Sequence, residues 1–519
     1  MKNKLKIITS IFCILLMAAT LASCAKKEKL PSPAVTTPEI SFEERLSALA
    51  PYTPPEELER YWGGAVGEFI PSDDYGRVYP YIGQVQEISQ DEDSYYEDKD
   101  YWYTGSLLYG FVDEKGRIIC DPVYKEAELL TYENKNAYIM HKIAYPQGIV
   151  YDEGITWIID EQYSVISAYG SFAGIYEDVY TGDFFNRKSY EYIAVKKDGL
   201  WGAIDYDGTE ILPCQYFNAP LFSEGLAAVF ENSNFEHNYG TYNYSLDTYY
   251  YINPDGDNVL GPFLGPSHFP RLDILAFSHG RALSFDSDFY GFIDTYGNLV
   301  IPKIYTNNIY DTDGTKGYHE NSLAIVCIME EDGYGFNFND ALWGLIDVNG
   351  KYIVPLRKAT SVIQEGDYYS FYYDNRESYE SSEKEIFNYT DGKITIINEK
   401  SKETLNAWHG RCLDGDIFIT DSGIINIKTN EVYYNGEIPP FSHEAVFQLD
   451  DGRSCIIGYK YGSNAPKFGV MDKNGPILDF EYDALKWVGG YFCAAQGDHG
   501  GLLRPDGTWF VKVKFEKLD

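Results

Sequence analysis

The chain has 519 residues, of which 44% are hydrophobic and 16% aromatic, and its 79 acidic residues outnumber 42 basic ones. This apolar content excludes global disorder, and the net charge of −37 argues against binding to nucleic acid or to anionic membrane surfaces. The 48 tyrosines favour half-buried strands, so the composition indicates β structure.

The N-terminus predicts a secreted protein that is tethered to a membrane. Three lysines precede an apolar run from Ile7 to Ala22, a pattern typical of a signal peptide rather than of a retained membrane span. The run ends in the letters LASC at residues 21–24, which resemble the lipobox of bacterial lipoproteins. That resemblance implies a signal peptide over 1–23, acylation of Cys24, and an anchor on the extracytoplasmic face of the cell membrane. A plain secreted protein with an incidental cysteine is the alternative.

A spacer and a short helical segment are expected after the anchor. Residues 24–40 carry Lys, Pro, Ser and Thr without periodicity, which is typical of a flexible spacer. Ser41 is followed three residues later by Glu44, a capping-box pattern that predicts one or two short helices before residue 62. Residues 41–79 are therefore expected to form a short helical segment, and 80–519 to form the folded body.

One pattern recurs through the predicted body: an aromatic residue, Gly, two apolar residues, Asp, any two residues and Gly, followed by an apolar run that often ends in Pro-x-x-Tyr. The aspartate and the second glycine predict a β-hairpin turn, because the carboxylate accepts from nearby N–H groups and the glycine supplies a positive φ. The first glycine lets a neighbouring strand approach closely. The predicted repeat residues include Trp201, Gly202, Asp205 and Gly208 in one unit and Trp343, Gly344, Asp347 and Gly350 in another.

The turn glycines recur at a period of about 43 residues, which indicates a tandem array of nine or ten units. Weak copies fill the two longer gaps: 156–166, with Tyr163 in the glycine position, then 388–397 and 423–434. The clear copies have their turn glycines at Gly116, Gly208, Gly256, Gly297, Gly350, Gly475 and Gly507.

These residues resemble the WG-repeat family of bacterial proteins, which is named for the Trp-Gly pair seen at Trp201-Gly202 and Trp343-Gly344. The resemblance implies an all-β fold of tandem β-hairpins or meanders and no shared catalytic activity. Propellers typically close with about four to eight blades, fewer than the units counted here. An open curved or superhelical array is therefore favoured, and a propeller-like ring is the alternative.

Comparison of the repeats with one another argues against catalysis. A catalytic group is needed once, whereas the turn aspartates recur in five units; His279 and His443 likewise share a turn position with Glu224. No spacing typical of a catalytic serine, a phosphate-binding loop, a dinucleotide site or a zinc site is present. The sequence therefore predicts no enzyme, no metal and no cofactor. The recurring aspartates are Asp113, Asp205, Asp294, Asp347 and Asp472.

The cysteines beyond Cys24 lie in different units with no C-x-x-C pair. Buried thiols are favoured, and three disulfides are the alternative. The cysteines concerned are Cys120, Cys214, Cys327, Cys412, Cys455 and Cys493.

Insertions that are not repeated provide the candidate binding surface. Tyrosine-rich and acidic stretches interrupt the array at 90–103, 232–251 and 367–385. In the second of them, turn-forming residues flank three tyrosines, which predicts exposed contact residues: Tyr239, Tyr242 and Tyr244. Binding or scaffolding of a protein partner is the first hypothesis, and binding of carbohydrate or cell wall through exposed Tyr and Trp is the second. Longer solvated hairpins without a binding role would give the same pattern.

Overall fold

The computed structural model describes residues 69–85, 107–151, 154–180, 190–231, 248–265, 275–286, 289–306, 322–329, 341–372, 384–390, 392–396, 411–420, 423–440, 446–461 and 466–515. The predicted signal peptide, Cys24, the spacer and the helices expected before residue 62 lie outside these ranges. Within 69–79 the helical structure is limited to a three-residue 3-10 helix, Asp73–Tyr75. No helix of the described ranges is long and apolar enough to cross a bilayer.

The described chain forms ten small antiparallel sheets, each built from consecutive strands. Sheets 1 to 5 consist of β1 (Tyr79–Val85), β2 (Leu107–Val112) and β3 (Ile118–Tyr124); β4 (Glu126–Tyr132), β5 (Lys135–Tyr151), β6 (Gly154–Ser167) and β7 (Ala173–Tyr176); β8 (Asp178–Val179), β9 (Ile193–Lys197), β10 (Leu200–Ile204) and β11 (Glu210–Tyr216); β12 (Ala227–Phe230), β13 (Thr248–Ile252) and β14 (Asn258–Leu264); and β15 (Arg281–Asp286), β16 (Phe289–Asp294) and β17 (Leu299–Thr306).

Sheets 6 to 10 follow the same plan. They consist of β18 (Leu323–Ile328), β19 (Leu342–Asp347) and β20 (Tyr352–Lys358); β21 (Ser361–Glu365), β22 (Tyr368–Tyr372), β23 (Lys384–Thr390) and β24 (Lys393–Ile396); β25 (Arg411–Asp414), β26 (Ile417–Thr420), β27 (Gly423–Asn426) and β28 (Glu431–Tyr434); β29 (Phe447–Gln448), β30 (Ser454–Tyr461), β31 (Pro466–Asp472) and β32 (Gly475–Tyr482); and β33 (Ala484–Trp487), β34 (Phe492–Gln496), β35 (His499–Leu503) and β36 (Trp509–Lys514).

Each sheet is a meander whose last strand lies at an edge. The earlier strands are the more buried: all four residues of β12 are buried, whereas β14 at the edge of the same sheet is exposed or half-buried throughout. The predicted all-β tandem array is therefore confirmed.

The hydrophobic core lies between sheets rather than within them. Leu212 of sheet 3 and Ala227 of sheet 4 belong to one buried cluster, and a second cluster joins sheets 4, 5 and 6 through Tyr251, Phe292 and Ile346. Similar clusters join the sheets that follow, up to sheet 10. A single unit cannot bury its apolar faces alone, so each sheet depends on its neighbours for stability.

The two ends of the array contact each other. A buried cluster contains Tyr81 and Phe111 of sheet 1 together with Cys493 and Leu502 of sheet 10. Among the described strands, no sheet contains strands from both ends, so the array is open in its hydrogen-bonded sheets, as the sequence favours. The contact between the ends is made by β1 packed against strands of sheet 10.

The sequence interpretation of 156–166 as a hairpin with Tyr163 in the glycine position is wrong. β6 continues through this stretch, and Tyr163 pairs with His141 of β5, their rings stacked with centroids 4.9 Å apart. The turn of sheet 2 comes later, where the N–H of Gly170 donates to the carbonyl of Ser167 at 2.9 Å. Because the hydroxyl of Ser167 accepts from the N–H of Phe172 at 3.2 Å, serine replaces the aspartate of the other turns. Tyr163 therefore occupies the aromatic position of its unit.

Candidate functional site

The recurring aspartates are engaged in their own turns. Oδ1 of Asp205 accepts from the N–H groups two and four residues on, at 3.0 and 2.7 Å, and the N–H of Gly208 donates to the Asp205 carbonyl at 3.1 Å. Asp347 makes the same contacts at 2.9 and 3.0 Å. The φ angles of Gly208 and Gly350 are +88° and +78°, which favour glycine. These residues close hairpins.

The charge state of Asp113 agrees with a structural role. Burial alone would raise the pKa of this carboxyl, but hydrogen bonds from the backbone N–H and the side chain of Arg117, at 2.8 and 2.5 Å, outweigh it. The pKa of Asp113 therefore lies below its ordinary value, and the carboxylate stays ionised at neutral pH. A carboxylate held in this way is a poor proton donor for general acid catalysis.

The aromatic–glycine pairs shape each sheet. Trp201 lies opposite Tyr216 across β10 and β11, and Trp343 is buried in sheet 6. A Cβ on Gly202 would lie 2.6 Å from the carbonyl oxygen of Leu212, and one on Gly344 would lie 2.9 Å from that of Val354. The glycines thus make room for the bulged outer strand of the same sheet.

The turns before β12 and β15 hold Glu224 and His279. Both residues have positive φ angles, +55° and +53°, and each precedes a glycine of positive φ. The carboxylate of Glu224 accepts from the N–H of Gly280 in the next turn at 2.9 Å. Glu224 and His279 are therefore turn residues, whereas His443 lies outside the described residues.

No disulfide joins the six described cysteines. Four of them are buried, as expected: Cys120, Cys327, Cys455 and Cys493. Cys214 and Cys412 are only half-buried, so the expectation of buried thiols does not hold for them. Burial raises the pKa of Cys214 to about 11 and that of Cys455 to about 12. Both thiols are therefore protonated at neutral pH and are weak nucleophiles. Within the described ranges, no group of His, Cys, Asp and Glu could hold a metal ion.

The predicted contact residues Tyr239, Tyr242 and Tyr244 lie outside the described residues. Their segment, 232–247, joins β12 to β13 in sheet 4. The nearby tyrosines Tyr249 and Tyr251 are fully buried in β13, where their hydroxyls donate to backbone carbonyls of sheet 5 and of the segment before it.

A group of exposed apolar side chains that the sequence does not single out lies on sheets 4 to 6. Of twelve exposed large hydrophobic side chains in the described residues, eight lie in sheets 4 to 6, and three of these lie on β17. Tyr296, in the turn before β17, is 83% exposed. We call this set the outer apolar surface; it comprises Leu264, Phe289, Tyr296, Leu299, Val300, Ile304, Leu342 and Tyr352.

A comparison of repeats could have located this surface. Counted from the turn glycine, Leu299 of sheet 5 and Tyr352 of sheet 6 occupy the position of Glu210 in sheet 3. In the same register Tyr296 corresponds to Asp207, and both side chains are exposed. Sheets 5 and 6 thus carry apolar residues where sheet 3 carries an exposed acid. The fold of the repeat does not require apolar residues at these positions.

The family model of the WG containing repeat matches residues 109–135, 201–235 and 290–328, which include strands of sheets 1 to 6. The chain is a WG-repeat protein. This repeat defines a structural unit and is not an enzyme family. No curated protein matches the sequence of this WG-repeat protein.

Solved structures resemble the WG-repeat protein only distantly. The crystal structure of a eukaryotic initiation factor has 10% identity and a TM-score of 0.37, with 85% of this chain and 97% of that chain covered. The β-propeller domain of the Trilobed protease from Pyrococcus furiosus has 11% identity and a TM-score of 0.29, with 74% and 93% covered. An acylaminoacyl peptidase from Pyrococcus horikoshii has 12% identity and a TM-score of 0.31, with 68% and 52% covered. No conclusion about function follows from similarities this low.

Proposed function

We propose that this WG-repeat protein is a non-enzymatic binding or scaffold protein, held by a lipid on Cys24 at the extracytoplasmic face of the membrane, that takes a protein partner on its outer apolar surface. The observation that carries the proposal is the concentration of exposed apolar side chains on sheets 4 to 6. Single exposed apolar side chains are ordinary, whereas their concentration on one part of a protein indicates a candidate interaction site. The turn carboxylates, engaged in hairpins, support a non-enzymatic role.

The chemistry of the surface favours protein over carbohydrate. Five of its eight side chains are aliphatic, and aliphatic groups pack against protein but do not stack on sugar rings as aromatic faces do. The tryptophans whose side chains are described are buried or half-buried, so none of them offers an open ring face; they are Trp201, Trp343, Trp487 and Trp509. Carbohydrate or cell-wall binding remains the second candidate through residues outside the described ranges.

The proposed partner contributes an extended, basic segment. β17 is the last strand of sheet 5 and, among the described strands, pairs only with β16. An edge strand with exposed apolar side chains is a template for addition of a partner strand. Because acidic residues exceed basic ones by 79 to 42, a partner rich in Lys and Arg is attracted and an acidic one is repelled.

The repeat supplies its own variant for the test. Tyr296→Asp, Leu299→Glu and Ile304→Gln together give sheet 5 the residues that sheet 3 carries at the same positions: Asp207, Glu210 and Gln215. This triple variant is expected to fold normally and to lose at least about tenfold in affinity for proteins cross-linked to the wild type in intact envelopes. The control is Val432→Glu, which changes an exposed apolar residue of β28 in sheet 8.

Unchanged affinity of the triple variant would refute the outer apolar surface as the site. Equal losses in the triple variant and in Val432→Glu would indicate non-specific apolar adhesion. If the protein binds purified cell-wall glycan and cross-links to no other protein, the second candidate function would be established instead.

A further inference from the structure

In five units the turn glycine packs on the last strand of the preceding sheet, and the same contact occurs across the two ends of the chain; the five are Gly256, Gly297, Gly350, Gly475 and Gly507. A Cβ on Gly297 would lie 3.3 Å from Leu260 of β14, and one on Gly350 would lie 3.1 Å from Ile301 of β17. Gly116 belongs to sheet 1, which no sheet precedes in the sequence. A Cβ on Gly116 would lie 3.4 Å from Val511 of β36, the last strand of sheet 10. Sheet 10 thus takes the place of the preceding sheet for sheet 1.

The contact between β1 and sheet 10, which we call the end seam, is buried and includes a specific hydrogen bond. Sγ of Cys493 donates to the carbonyl of Pro80 at 3.0 Å, and this thiol is fully buried. The ring of Tyr79 packs edge-on against Tyr491, with centroids 4.7 Å apart. These groups are more than 400 residues apart in the sequence, so the end seam closes a very long loop of chain.

Gly500 occupies a position of the repeat that holds an aromatic residue in other units. It lies four residues before the first residue of the Arg504–Gly507 turn, as Tyr290 and Trp343 do before theirs, and Gly501 follows in the glycine position. A Cβ on Gly500 would lie 2.6 Å from the carbonyl oxygen of Ile82 in β1 and 2.4 Å from the Phe515 ring. The φ of Gly500 is outside the left-handed region, so the backbone itself does not require glycine here.

We propose that Gly500 allows the two ends of the array to pack together. It stands where other units carry an aromatic residue, and the absence of a side chain leaves room for β1 against sheet 10. An aromatic side chain there would match the other units but would exclude β1. The end seam therefore depends on a single departure from the repeat pattern, at Gly500. When the end seam opens, β1 and sheet 10 become two exposed surfaces that are complementary to each other. Two opened molecules can then join head to tail, with β1 of one against sheet 10 of the other.

The test measures the opening of the end seam in the full chain through alkylation of Cys493. Gly500→Ala and Gly500→Tyr are compared with the wild type, and the modified cysteines are quantified by mass spectrometry under native conditions. Cys455 is the internal reference, because it is fully buried in sheet 9 and away from the end seam. We expect Cys493 to react at least about tenfold faster in both variants, with Cys455 unchanged and with head-to-tail oligomers of the tyrosine variant in sedimentation.

The matched control is Gly458→Ala in β30, another strand glycine outside the left-handed region, whose Cβ would lie 3.1 Å from the Pro439 side chain. It is expected to leave the reactivity of Cys493 unchanged. Wild-type protection of Cys493 in a folded Gly500→Tyr variant would overturn the proposal. If the tyrosine variant fails to fold, the alanine variant provides the test. Equal increases in the alkylation rates of Cys455 and Cys493 would then refute local opening of the end seam.

Discussion

Glu191 and Gly225 join sheets 3 and 4 by a hydrogen bond between a carboxylate and a turn. Both carboxylate oxygens of Glu191 accept from the N–H of Gly225, at 3.0 and 3.2 Å. Glu224 makes the equivalent contact with Gly280 of the next turn at 2.9 Å. In both cases the N–H of a turn glycine donates to a carboxylate from the preceding unit. These hydrogen bonds join neighbouring units in addition to the apolar core between the sheets.

Glu191→Ala is expected to lower the free energy of unfolding by about 1–2 kcal/mol, because it leaves a partly buried N–H without its acceptor. Glu191→Gln keeps an acceptor oxygen and should recover most of that loss. Urea denaturation of the three proteins provides the measurement. Equal midpoints for the alanine variant and the wild type would show that water replaces the carboxylate at no cost.

Gly208→Val tests the hairpin turn of sheet 3. The φ of Gly208 is +88°, and a Cβ there would lie 2.2 Å from the ring of Phe172, the residue before β7 of the preceding unit. Valine should therefore destabilise the protein through both backbone strain and collision with Phe172. Gly452→Val isolates the strain, since the φ of Gly452 is +81° with no atom within 4 Å of its Cβ position. The strain alone is expected to cost about 1–3 kcal/mol.

Thermal unfolding should rank the two variants, with Gly208→Val melting well below Gly452→Val and both below the wild type. Identical melting curves for Gly208→Val and the wild type would contradict the turn geometry.

Such turns could be predicted from sequence because their chemistry is local: the carboxylate of Asp205 and the positive φ of Gly208 act within five residues. The turn at Ser167 was missed because a hydroxyl performs the role of the carboxylate there. The end seam could not be predicted, since Cys493 and Pro80 are 413 positions apart and only the completed array brings them together.

The outer apolar surface was missed for a different physical reason. Leu299 and Val300 belong to the apolar run that follows the turn glycine of their unit, and hydrophobicity alone assigns them to the core. Their exposure depends on β17 being an edge strand, which is a property of the sheet and not of the segment.

Acid should destabilise the protein, with Asp113 contributing. Hydrogen bonds from Arg117, which outweigh the effect of burial, hold the pKa of Asp113 below its ordinary value. A depressed pKa in the folded state stabilises the fold above the unfolded-state pKa of about 4, and that stabilisation is lost as the pH falls through the folded-state pKa. Asp113→Asn removes this titration while keeping an acceptor, as Asn253 shows by accepting from the N–H of Asp257 at 2.9 Å.

The measurement is the urea midpoint from pH 7 down to pH 3 for the wild type and Asp113→Asn. The difference between them should shrink as the pH falls below about 4. A difference that stays constant over the whole range would show that the Asp113 carboxylate does not titrate with a lowered pKa in the folded state.

Cys24→Ser tests the anchor that the N-terminal sequence predicts. Serine has no thiol to acylate, so the variant should leave the membrane fraction and incorporate no labelled fatty acid. Cys493→Ser, at a fully buried site, serves as the comparison and should remain in the membrane fraction. Incorporation of label into Cys24→Ser would place the lipid elsewhere.

Replacement of Tyr239, Tyr242 and Tyr244 with serine tests the binding role that the sequence predicts for the segment between β12 and β13. The three tyrosines lie among turn-forming residues, so the triple variant is expected to melt as the wild type does. Aromatic anchors at interfaces contribute about 2 kcal/mol or more, so affinity for the cross-linked partner should fall at least about tenfold. Tyr249→Ser is the matched control: this tyrosine is fully buried and hydrogen-bonded to the carbonyl of Leu283, and its loss should unfold sheet 4. If the triple variant unfolds in the same way, the three tyrosines belong to the core; if it folds and binds normally, the partner contacts the outer apolar surface without them.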